Sequence, residues 1–134
     1  MSHPRFAVTA GAIITDKQRN VLLLKHRFRG GSGWGMPGGY LAKSEQPEQA
    51  LRRELREEAG LEVDNVKLFL TRTFKKPQQV EIIFTCRAVG DVHNLNYEIE
   101  ESRWFTLIEL PNGLPDDQTE LIKDALSDGA TQHG

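Results

Sequence analysis

The stretch from Gly39 to Leu61, GYLAKSEQPEQALRRELREEAGL, carries the residues whose types and spacing could do chemistry. Glu54, Glu57 and Glu58 stand at i, i+3 and i+4, so on a helix they share one face. Three like charges held together repel, and helix stability alone would not favour them. A divalent cation among them turns that repulsion into attraction. Oxygen-only ligands suit a hard ion, Mg²⁺ or alternatively Mn²⁺, and Mg²⁺ is commonly held by a few carboxylates plus the phosphates of a substrate. An RRELREE run by itself is more often a solvated helix face laced by i, i+4 ion pairs. The residues around it decide between the two readings.

Those residues follow the pattern G-x5-E-x7-R-E-U-x-E-E-x-G-U, where U is a bulky aliphatic residue. Gly39, Glu45, Arg53, Glu54, Leu55, Glu57, Glu58, Gly60 and Leu61 occupy every defined position. The segment therefore resembles the Nudix box, the signature of hydrolases that act on a nucleoside diphosphate linked to another moiety. Ser44 departs from many members, which carry glycine before the first glutamate. The resemblance implies that Glu54, Glu57 and Glu58 hold the metal, with the Gly38 carbonyl as a further ligand. Arg53 joins the catalytic set in a supporting role: it pairs with a carboxylate such as Glu57 and fixes its rotamer. Glu45 closes the loop before the helix, either as a structural group or as a remote ligand. Divalent ions would neutralise a diphosphate bridge, orient a water and stabilise the leaving phosphate.

Particular elements must hold these side chains in place. Phe6 to Thr15 and Val21 to His26 read as strands joined by the turn DKQRN. Arg27 to Gly39 reads as a glycine-rich loop, in which Trp34 of the W-x-x-P-G-G run packs to shape the backbone. Pro47 suits a first helical position, and Gly60 suits the left-handed residue just past the helix end. Leu51, Leu55 and Ala59 form the buried stripe beside the acidic face. Val66 to Phe74 and Val80 to Ala88 read as a hairpin across KKPQQ, and Ile99 to Leu107 as a further strand. Asp117 to Leu126 reads as a closing helix with Asp117 as N-cap and Glu120 at the third position. Its apolar face is Leu121, Ile122, Ala125 and Leu126. The order β-β-α-β-β-β-α resembles the Nudix fold, an α/β/α sandwich around a mixed β-sheet.

The general base is open between Glu54 on the helix and the late acidic strand YEIEESRW, where Glu98 or Glu101 is favoured. A solvated strand edge is the other reading of those residues. Arg27 and Arg29, with Lys25 and His26, form a basic cluster entering the glycine loop. Phosphate binding, by guanidinium forks on phosphate oxygens, and loop solubility are both open for it. Phe28 and Phe74 are candidates for stacking on a base, although core packing is the favoured reading of both.

The chain has 134 residues, expected to form a single domain over 1–134, and a net charge of −2. That balance gives no bulk attraction to nucleic acid or membranes. The single cysteine, Cys86, sits in an apolar run and reads as core. No apolar stretch near the N-terminus has signal-peptide or membrane-spanning length, so a cytoplasmic location is the default expectation. SDGATQHG at the end is expected to fray.

The expected activity is a Mg²⁺-dependent, MutT-like pyrophosphohydrolase, most simply one converting a nucleoside triphosphate to a monophosphate and pyrophosphate. A short chain with no extra N-terminal domain, and no second cluster for a distal ribose, favours that substrate. ADP-ribose or a nucleotide sugar is the alternative; Pro77 lies near where ADP-ribose pyrophosphatases often carry a proline, but it also suits a hairpin turn. No SQPWPFPxS run of the kind associated with NADH hydrolysis is present. A non-catalytic nucleotide-binding module is a second alternative, against which the complete set of box carboxylates argues. A homodimer is compatible with all of these.

Overall fold

The computed structural model describes residue 3 and residues 5–131. Two strands, β1 (Ala7–Thr15) and β2 (Val21–His26), lead into two short ones, β3 (Trp34–Gly35) and β4 (Gly38–Tyr40). Helix α1 (Pro47–Ala59) follows, then β5 (Glu62–Phe74), β6 (Gln79–Val89), β7 (Ile99–Phe105), a 3-10 turn (Leu107–Glu109) and helix α2 (Asp116–Thr131).

Strands run in the order β3-β2-β1-β6-β5, with β4 also on β1 and β7 also on β2. The sheet is mixed: β1 pairs parallel to β6 from Ala7↔Gln79 to Thr15↔Arg87, and its other pairings are antiparallel. Successive strand residues point to opposite faces. So Ala12, Ile14, Leu22 and Leu24 join Leu51 and Leu55 of α1 in one core. Ile13, Val21, Leu23 and Ile83 join Leu121 and Ile122 of α2 in the other. The result is the expected α/β/α sandwich. Each fully buried leucine contributes about 1.5–3 kcal/mol, so both helices are held mainly by these stripes.

Helix α1 begins and ends as its residues dictate. Pro47 opens the first turn, where its missing N–H is no loss. Gln49 accepts from the Gln46 backbone N–H at 3.0 Å. Gly60 takes φ 57°, and its N–H donates to the Arg56 carbonyl at 3.0 Å. The last carbonyls find partners in a distant segment: His93 N–H donates to Ala59 and Asn96 N–H to Glu58, both at 2.9 Å. Capping by residues 93–96 thereby brings Glu98 to the C-terminal end of the acidic helix.

The structure corrects several boundaries. The glycine loop contains β3 and β4, because Gly38 and Gly39 can lie flat against β1 at Gly11 and Ala10. At Gly38, φ is 147°, and a Cβ there would collide with the Ala10 carbonyl. Strand β5 starts at Glu62 rather than Val66, since Val63 is buried against α1. Strand β7 ends at Phe105, because Thr106 caps the 3-10 turn that takes Leu107. Asp117 is not the N-cap of α2: the Pro115 carbonyl accepts from Gln118 and Thr119 N–H groups, which places Asp117 inside the first turn. Instead of fraying after Leu126, α2 continues to Thr131; residues 132–134 lie outside those described. Pro77 lies in the turn that joins the antiparallel strands β5 and β6. No helix among the described residues is long and apolar enough to cross a membrane.

Candidate active site

Glu54, Glu57 and Glu58 leave α1 on one face and line a cavity of about 190 Å³ together with His26, Asn96 and Glu98. Arg53 organises two of them. Its guanidinium donates to Glu54 and to Glu57, each at 3.0 Å, and to the Tyr40 carbonyl at 3.1 Å. It also grips Glu45 with two bonds, at 2.8 and 2.9 Å. All its N–H donors are thus used, in the planar fork that only arginine supplies. The pairing of Arg53 with Glu57 expected from spacing is present, but the stronger partner is Glu45. Arg53 and the Ala42 N–H hold the Glu45 carboxyl down to about 2. Glu45 therefore anchors the loop between β4 and α1, where Ser44 adopts the left-handed φ of 66° that glycine takes more readily.

Glu58 has the opposite environment. Burial pushes its carboxyl up to about 8, and the charge of Glu54 adds to the effect; the Gly38 N–H, at 3.4 Å, and Arg29 oppose it. The contact with Gly38 runs through its N–H rather than its carbonyl. Among the described residues, no three His, Cys, Asp or Glu side chains converge closely enough to hold an ion as they stand. Glu54 and Glu57 are drawn towards Arg53, and burial disfavours charge on Glu58. Their chemistry nonetheless suits a hard cation: the acidic groups are oxygen ligands, crowded and partly desolvated.

The strand candidates separate. Glu98 lines the cavity with the helix carboxylates, held by its N–H to the Asn96 side chain at 2.8 Å and by its carbonyl to the Arg27 N–H at 2.7 Å. Glu101 lies opposite Lys25 on β2 and pairs with Arg103, outside the cavity. The basic cluster separates as well. Arg29 reaches towards Glu58 and packs over Gly35, where a Cβ would overlap its guanidinium. Burial lowers its pKa, and Glu58 works against that. Arg27 turns away instead, donating to the Tyr97 carbonyl at 3.0 Å. Burial, and then Arg29, push the His26 imidazole down to about 4, and its Nε2 has no hydrogen-bond partner among the described residues.

Phe28 is 69% exposed, so the core reading of that residue is wrong; Phe74 is half-buried under Arg72, 5.1 Å from its ring. Trp34 does pack as expected, edge-on to Phe105 at 5.2 Å. Cys86 is buried core, its thiol raised to about 12 chiefly by burial, and is no nucleophile.

A cleft of about 210 Å³ opens beside the acidic cavity. It is lined by Arg29, Met36, Tyr40, Gln79, Glu81 and Gln118. Gly39 also lines it and stands against Glu54 of the acidic cavity; a Cβ at Gly39 would overlap that carboxylate. Gln118 accepts from the Met36 N–H at 2.8 Å, and Arg72 ties Glu81 to Asp117. Sequence reading missed Glu81, Gln118 and Tyr97. No local pattern marks them, since each meets its neighbours only through the fold.

The NUDIX domain profile matches residues 5–125, and the chain belongs to that family. It is 28% identical to a MutT-like protein of Streptomyces ambofaciens, over 98% of this chain and 84% of that protein. It is 30% identical to an ADP-ribose pyrophosphatase of Methanocaldococcus jannaschii, over 91% of this chain and 73% of that one. The chain spans less than half the length of NAD-capped RNA hydrolases that it also matches. Among solved structures, a NUDIX hydrolase from Nitrosomonas europaea superposes with a TM-score of 0.86 at 24% identity, covering 98% of this chain and 76% of that one. The chain is a Nudix pyrophosphohydrolase, of a family that generally requires a divalent metal such as Mg²⁺.

Proposed function

We propose that this protein hydrolyses a nucleoside triphosphate to a monophosphate and pyrophosphate with Mg²⁺. The observation that carries the reading is the meeting of Glu54, Glu57, Glu58 and Glu98 in one cavity beside a cleft flanked by Arg29. Glu54, Glu57 and Glu58 would hold the metal, with Gly38 as a further ligand. Bound there, Mg²⁺ would neutralise phosphate charge and lower the pKa of a water. Arg29 meets phosphate oxygens, and Gln79, Glu81 and Gln118 offer donors and acceptors to the base. Glu98 takes the proton of the attacking water; Glu101, already paired with Arg103, does not. Arg53 holds Glu54 and Glu57 in place. The compact size of the cleft supports a triphosphate.

Purified protein with Mg²⁺ is expected to release pyrophosphate, not single phosphates, from at least one nucleoside triphosphate. Products of a nucleotide panel, separated by chromatography, decide this. A clear preference for ADP-ribose, giving AMP with triphosphates untouched, would reverse the ranking of the two substrate classes. No turnover of any nucleotide would favour the binding-module reading.

On the base, Glu98→Gln is expected to lower kcat by about 100-fold. Glu101→Gln should lower it by less than about tenfold, in keeping with a solvated ion pair. Rates across pH for both variants and Glu54→Gln check the assignment. An active Glu98→Gln enzyme would return the base to the helix.

A further inference from the structure

We propose that the far ends of β1 and β6, away from the substrate cleft, hold a second anion site, which takes the terminal phosphate of a small molecule such as pyrophosphate or a nucleoside monophosphate. A cavity of about 260 Å³ opens there between the sheet and α2. Three cations line it, Arg19 from the turn between β1 and β2, Lys67 from β5 and Arg87 from β6, and no Asp or Glu does. The chain carries 19 acidic and 17 basic side chains, so a lining with three cations and no carboxylate departs from its average surface. Among the described residues none of the three cations is in an ion pair. Asp64 is the register partner of Arg87 but lies outside the lining. The fold employs only Arg19, which donates to the Leu126 carbonyl at 2.7 Å and is thereby fixed beside α2.

The sheet beneath these cations changes character at this end. Strands β1 and β6 run parallel, and every second residue of each faces α2. Ile13 and Ile83 on that face meet Leu121 and Ile122. Further along the same face come Thr15, Thr85 and Arg87. A sheet face covered by a helix gains from apolar residues, and two half-buried hydroxyls and a cation do not serve that packing. Lys67 stands opposite Thr85, and Arg87 opposite Thr15. Strands about 4.8 Å apart spread these groups over roughly 10 Å, close enough for a guanidinium and an ammonium to meet on one phosphate. A register break between Asp64 and Lys67 leaves Asn65 out of the ladder and on the cavity lining, where its amide adds a donor. A terminal phosphate carries a charge of about −1.5 to −2 at neutral pH, against one per phosphodiester, and matches three cations better. The substrate cleft lies towards the other end of the same strands, and Gly11 in it is about 13 Å along β1 from Thr15, so the two sites can be filled independently.

The test measures binding without turnover, so its outcome is separate from that of the proposed activity. Metal-free protein is titrated with pyrophosphate, inorganic phosphate and AMP, each against sodium chloride of equal ionic strength, and followed by amide NMR. Saturable shifts are expected at Thr15, Lys67, Thr85 and Arg87 with the phosphates and not with chloride. The double variant Lys67→Gln, Arg87→Gln, which keeps Arg19 on Leu126, is expected to raise the Kd for pyrophosphate by about tenfold or more. Linear shifts, or equal shifts with chloride, overturn the site and need no variant. Unchanged affinity in the folded double variant overturns it as well. Shifts confined to Arg29 and its neighbours in the cleft would put the anion in the substrate site and overturn the second one. A trinucleotide with hydroxyl ends that moves the same amides and binds more tightly than pyrophosphate would replace the small-molecule site with a nucleic-acid surface.

Discussion

Replacing Glu58 by glutamine is expected to lower Mg²⁺-dependent turnover by about 100-fold or more while the fold persists. The amide matches the carboxyl in shape and keeps an acceptor for the Gly38 N–H. What it removes is a negative charge at the place where burial and Glu54 already make charge unfavourable. Only a bound cation reverses that balance, so the loss should appear in turnover and in Mg²⁺ affinity together. Near-normal activity would remove Glu58 from the metal set.

Metal-free stability gives a second measurement on the same variant. The Glu58 carboxyl titrates near 8 in the folded protein and near its ordinary 4.5 in the unfolded chain. Between those values the folded state keeps a proton that the unfolded state has lost, so this group makes stability fall as pH rises. His26 acts oppositely, its pKa lowered from 6.5 to about 4, but above pH 6.5 only the second half of its unfolded-state titration remains, which is smaller than the Glu58 effect. From pH 6.5 to 8 the Tm of the metal-free protein should therefore decline, and that of Glu58→Gln should decline less. Mg²⁺ should restore the wild-type Tm at pH 8. A metal-free Tm that rises with pH in this window, or declines equally in both proteins, would contradict the buried state of Glu58.

Arg53→Ala is expected to weaken Mg²⁺ half-saturation or activity by about 10- to 100-fold, the usual effect of losing a group that orients metal ligands. Each exposed ion pair alone is worth little, about 0–1 kcal/mol. Here one guanidinium serves Glu45, Glu54, Glu57 and the Tyr40 carbonyl at once, so its loss frees the loop and two carboxylates together. Arg53→Lys should rescue little, because an ammonium cannot reach four partners in one plane. Mg²⁺ titrations of activity and thermal unfolding of both variants check this. Wild-type metal dependence in Arg53→Lys would reject the fork geometry.

Local interactions made part of this readable in the residues alone. Pro47, the 3.6-residue stripe of Leu51, Leu55 and Ala59, and Gly60 act within a few positions of one another, so helix α1 and its acidic face follow from spacing. Period-two alternation in β1 and β2 likewise assigns Ile13 and Ile14 to opposite cores before any partner is known. Other features depend on chain crossings that spacing does not encode. Glu98 and Glu101 look alike in YEIEESRW. The capping of α1 by residues 93–96, and the register break beside His26 where β2 meets β7, bring the first to the helix carboxylates and leave the second with Arg103. Arg27 and Arg29 are two residues apart in one loop, yet the first is tied to Tyr97, and the second packs over Gly35 between the cleft and Glu58. Phe28 and Tyr97 meet across a sequence separation of 69 residues (97 minus 28), which the pairing of β2 with β7 brings together.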